Sequence, residues 1–133
     1  MKTILKIFGI VTLITINVLT IKADDSSYNI GDTGPGGGKI FYYNTGGFRV
    51  YANADDRTGT ICHYLEAAPA NQGRNIMWIS LGKGTTDVPG TATEIGMGRK
   101  NTDLILAAEP AAPAALACRN YSGGGKNDWF LPS

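Results

Sequence analysis

The sequence predicts an α+β domain, with strands gathered in its first half and helices in its second. Three observations carry this. Aromatic and β-branched runs between Lys39 and Ala67 are punctuated by turn clusters. Helical spacing begins only near Asn101 and is interrupted at Pro110. Strands and helices do not alternate as repeating strand–helix–strand units require.

The elements follow in order. "MKTILKIFGIVTLITINVLTIKA" has a basic flank at Lys2 and Lys6, an apolar run from Ile7 to Ile21, and Lys22-Ala23 before "DDSS". That is the pattern of a secretory signal peptide over residues 1–23. The run is shorter than the roughly 20 residues a membrane-spanning helix needs, so no stable span is expected after cleavage. An uncleaved anchor is the weaker alternative. Residues 24–29 form a polar leader, and the domain proper is expected over residues 30–133.

"GDTGPGGGK" (Gly31–Lys39) is too rich in glycine for a regular element. "KIFYY" and "FRVYA", separated by "NTGG", read as a β-hairpin, with Phe48, Val50 and Ala52 on one face. After the turn cluster "NADDRTGT" comes a third strand candidate, "ICHYLEAAP", ended by Pro69. "NIMWISLG" is a fourth apolar segment centred on Trp78, and Lys83 to Lys100 reads as irregular. Asn101 offers a helix cap, with Asp103 placed to meet the positive end of the helix dipole. Pro110 breaks that helix, and Pro113 opens a second one at a favoured position. Ala114, Ala117, Cys118 and Tyr121 share a face at three- and four-residue spacing. Gly123 to Gly125 then end the second helix and lead into "NDWFLPS".

Charge and composition exclude several functions. The chain has 12 basic and 11 acidic residues, and removal of Lys2, Lys6 and Lys22 leaves 9 against 11. A mildly acidic domain has no electrostatic footprint for nucleic acid. "GPGGGKI" fails as a phosphate-binding loop, because Thr33 and Ile40 stand where that motif needs glycine and a hydroxyl residue. The two cysteines, Cys62 and Cys118, belong to a chain bound for an oxidising compartment. A bridge between them, worth about 4 kcal/mol, is the expectation, and two buried thiols are the alternative. Cys62, the single histidine His63 and Cys118 lack a fourth ligand and a paired spacing for zinc. Neighbouring strand residues point to opposite faces, so a Cys62–His63 nucleophile pair is geometrically poor. Asn127 and Asp128 beside Trp129 offer calcium too few oxygens, and Asp128 reads as a turn residue. No metal and no cofactor are expected. Trp78, Trp129 and Phe130 read as core. The interaction candidates are Tyr42, Tyr43 and Tyr51, of which at least one of the adjacent pair must face away from the core.

The C-terminal run carries a resemblance. Ala114 and Cys118 on a helix, a glycine turn at Gly124, then Asp128, Trp129, Leu131, Pro132 and Ser133 form "A-x3-C…G…D-W-x-L-P-S". With "IGDTGPGGGKIFY", "HYLEAAP" and "GT-x-TEIGMGRKNTDLI" upstream, the sequence resembles the Lcl C-terminal domain family of bacterial exported domains. The resemblance implies a C-type-lectin-like fold and a further helix beyond "LPS". Ser133 after Pro132 would cap such a helix. The expectation is therefore a partial domain, interrupted at its C-terminus. With no catalytic constellation in view, the expected function is a non-catalytic exported module binding a glycan or a surface protein, located in the periplasm, on the cell surface or outside the cell. Two alternatives remain: a lectin-fold oxidoreductase using Cys62 and Cys118, and a non-functional gene remnant.

Overall fold

The computed structural model describes residues 28–78 and 87–133. Residues 1–27, over which the signal peptide and polar leader are expected, and residues 79–86, which include the end of "NIMWISLG", lie outside the described residues. What is described is a small mixed domain containing a two-stranded antiparallel sheet and two helices.

The sheet pairs β1 (Lys39–Val50) with β2 (Thr60–Ala67). The expected hairpin between "KIFYY" and "FRVYA" does not form. Both runs belong to β1, and β2 is their common partner. The register passes from Tyr43↔Tyr64 to Phe48↔Cys62, so five steps along β1 match two along β2. "NTGG" is absorbed as a bulge, not a reversal. Asn44 Oδ1 accepts the Gly46 amide at 2.9 Å, which makes a local turn inside the strand. Pairing with β2 supplies more ladder bonds than a hairpin of two short runs would, and that decides the outcome.

The reversal lies instead at Tyr51–Gly59. One carboxylate organises it. Asp56 accepts the amides of Ala52, Thr58 and Gly59 at 2.9 to 3.0 Å. Asn53 Oδ1 accepts those of Asp55 and Asp56 at 2.9 Å. Ala52, placed by the sequence on the strand face, falls beyond β1 in this turn.

Helix α1 (Gly98–Ala108) starts earlier than Asn101. Asn101 does not cap it. The side chain is buried and grips the backbone of Ala92, accepting its N–H at 3.1 Å and donating to its carbonyl at 2.6 Å. Those two bonds pin the preceding loop to the helix, a use that outcompetes capping because both partners are otherwise unpaired. Asp103 binds Arg119 on the next helix at 2.8 Å. Pro110 separates α1 from α2 (Pro113–Asn120), and Pro113 occupies the first turn of α2. Ala112 and Ala115 are the buried positions there, whereas Ala114 and Ala117 are half-buried, so the inward face is turned from the expected one.

Among the described residues, Ile40, Ala112 and Ala115 are the buried apolar side chains. Trp78 is 42% exposed, contrary to its expected place in the core. The segment after α2 ties the halves together. Phe130 and Leu131 cross α1 at Gly98, where a Cβ would strike the Leu131 carbonyl and the Phe130 ring. Buried Thr102 relays this contact: its hydroxyl donates to the Gly98 carbonyl at 2.7 Å and accepts the Leu131 amide at 3.0 Å. Ser133 caps no helix among the described residues, and its hydroxyl donates to the Glu94 carbonyl at 3.0 Å.

Candidate functional site: an aromatic groove

The alternation of β2 sends Cys62, Tyr64 and Glu66 to one side of the sheet, where all three line an open groove. Its volume is about 610 Å³, the size of a small-ligand cleft. Tyr28, Phe41, Tyr64, Tyr121, Trp129 and Phe130 supply aromatic walls, drawn from three separate parts of the chain. Tyr28 meets Tyr64 edge-on at 5.3 Å, and Tyr121 lies tilted against Trp129 at 5.2 Å. Lys126 and Asp128, both exposed, add one charge of each sign.

One wall is the glycine-rich loop, and its chemistry differs from a phosphate cradle. The Gly36 amide donates to Glu66 Oε2 at 3.0 Å, and the Gly38 amide donates to Oε1. The backbone donors that could hold an anion already hold a carboxylate of the same chain. A Cβ at Gly34 would run into Glu66, at Gly36 into the Trp129 ring and at Gly38 into the Ala67 carbonyl, which explains why this loop needs glycine. The indole of Trp129 packs over Gly36 while its Nε1 donates to the Gly123 carbonyl at 3.2 Å. Gly124, at φ +64°, sits on the Gly36 backbone where a Cβ would collide. The two glycine-rich stretches of the sequence therefore meet, with Trp129 between them.

The sequence-predicted residues divide into two groups. Cys118, Asp128, Trp129 and Pro132 line the groove, while Gly124 and Leu131 hold the segment in place. Tyr42, Tyr43 and Tyr51 are not brought together and none lines the groove. Tyr42 lies edge-on to Phe48 at 5.4 Å, and Tyr43 stacks on Tyr64 at 4.9 Å, 43% exposed. Tyr51 sits under the Lys100 ammonium at 5.3 Å, in a separate depression of about 390 Å³. Sequence reasoning missed Glu66, Tyr28, Tyr64 and Tyr121. A signal for Glu66 existed: an acid in step with Cys62 and Tyr64 on the inward face of a strand must find donors.

Cys62 on β2 and Cys118 on α2 line the same groove, yet both are free thiols; the expected bridge is not formed. Burial pushes both thiols upward, and for Cys62 the nearby Asp128 charge adds to it. A raised thiol is protonated and inert at neutral pH. His63 turns elsewhere, its Nδ1 lying 3.0 Å from the Asn44 carbonyl. Among the described residues, no three His, Cys, Asp or Glu side chains gather as a metal site. Nor is any described helix long and apolar enough to cross a membrane.

No family model matches the chain, and neither a curated protein nor a solved structure does.

Proposed function

We propose that this chain is a non-catalytic exported binding domain of the Lcl C-terminal type, and that it takes a glycan in the groove between β2, α2 and the C-terminal segment. One observation carries the reading: six aromatic side chains from distant parts of the sequence converge on one open cleft flanked by Lys126 and Asp128. Sugar rings present apolar C–H faces to aromatic surfaces and hydroxyls to charged side chains, so such a lining suits them. The C-type-lectin-like assignment draws support from the docking of Trp129 to Leu131 against both the glycine loop and α1. The oxidoreductase reading is disfavoured, since neither thiol is activated.

The test is a glycan array probed with the full chain and two variants. Phe41 is 52% exposed and lines the groove, so Phe41→Ala leaves folding intact and weakens retention about tenfold, the cost of a central aromatic contact. Tyr51→Ala, in the other depression, retains binding. Retention on no glycan, or equal loss in both variants, refutes the proposal.

A further inference from the structure

We propose that Glu66 is a proton-operated latch that holds the glycine loop, and through it Trp129, in place. The inference is independent of which ligand the groove takes. Ionised, the carboxylate offers acceptors to two amides, those of Gly36 and Gly38. A proton on either oxygen removes acceptor capacity. The latch then loses the negative charge that strengthens both amide bonds, and the protonated oxygen accepts more weakly.

The consequence spreads because the loop is shared. Glu66 closes one side of Gly36, while Trp129 and Gly124 close the other. The loop keeps its own backbone bonds, such as the Gly34 amide to the Gly38 carbonyl, so loosening its grip on β2 shifts the floor on which the indole rests without unfolding it. Other charges lining the groove are Lys126 and Asp128, from the C-terminal segment, and neither makes a hydrogen bond to Glu66. Lys39, at the far end of the loop, donates to Thr33 Oγ1 at 3.1 Å. Nothing in this arrangement makes up for the weakened amide bonds once the proton arrives. An exported protein meets the pH of its surroundings directly, so the latch would couple groove shape to external acidity.

Trp129 is the natural reporter. In the full chain carrying Trp78→Phe, emission and acrylamide quenching are followed from about pH 7 to about pH 2.5, the span in which carboxylates titrate. The expected result is a reversible red shift with increased quenching, while far-UV circular dichroism stays constant. Glu66→Gln shows the red-shifted signal at every pH, and Asp128→Asn keeps the transition. A transition that survives Glu66→Gln, one that disappears in Asp128→Asn, or none in the parent overturns the proposal. Should Glu66→Gln fail to fold, NMR of the parent decides: the Glu66 carboxyl carbon and the Gly36 and Gly38 amide protons must titrate together. Separate midpoints overturn it equally.

Discussion

The two ends of the sheet are held by opposite strategies. At the reversal, Tyr51 to Gly59, Asp56 and Asn53 each serve several amides a few positions away, and Arg49 from the adjoining strand donates to the Thr58 carbonyl. At the other end, Glu66 grips the Gly34–Gly38 loop, Trp129 covers that loop from the C-terminal segment, and Thr102 binds Leu131. The hydrogen bonds of the reversal are local, and the Lys100 ammonium over Tyr51 reaches it from afar. The glycine-loop end exists only when three distant stretches arrive together, so damage there spreads whereas damage at the reversal stays put.

The largest expected effect is at the glycine-loop end. Trp129→Ala removes the ring between the two glycine turns and costs about 3 kcal/mol, the lower range for a large aromatic because the side chain is half-buried. Urea unfolding measures it, and a loss no larger than that of a surface mutation would break the contrast. Asn101→Ala comes next. It strands both the N–H and the carbonyl of Ala92, for about 2 kcal/mol. Thr102→Val preserves shape but leaves the Leu131 amide without its acceptor, costing about 1 kcal/mol and accelerating exchange at that amide. Arg119→Ala breaks the pair with Asp103, which is partly screened by water, and costs about 0.5 kcal/mol.

Asp56→Ala has the most confined effect. Hydrogen exchange should quicken at Ala52, Thr58 and Gly59, with the glycine-loop end unmoved. Acidity sharpens the point. The amides of Gly59, Ala52 and Thr58 hold the Asp56 carboxyl well below the usual carboxylate range. A lowered folded-state value gives stability that is present above the unfolded value and lost only as pH falls through the folded one. Protection of the Thr58 and Gly59 amides should therefore persist at about pH 3, where an ordinary aspartate is mostly protonated.

The same contrast explains what the sequence disclosed. "NADDRTGT" announced a turn because its bonds are made within itself. Pro110 and Pro113 fixed the break between helices for the same local reason. "NTGG" carries an equally good turn signal and misled, since the strand that paired with both its flanks lies further along the chain. Asn101 misled in the same way: its capping chemistry is real, but Ala92 claimed it. The groove was the least legible feature. Tyr28, Tyr64 and Tyr121 are ordinary tyrosines until the fold places them on one cleft, and no spacing rule joins them. Trp129 and Asp128 were visible as a motif, although not as neighbours of Gly36 and Cys62.

The seat that Gly36 makes for Trp129 also sets a timetable. Its two partners, Gly36 and Trp129, lie far apart in the chain, so the contact closes only after the intervening strands and helices have been laid down. Such late-closing topologies fold slowly and as a unit. The rate of folding should thus be governed by how quickly Trp129 finds its seat on Gly36.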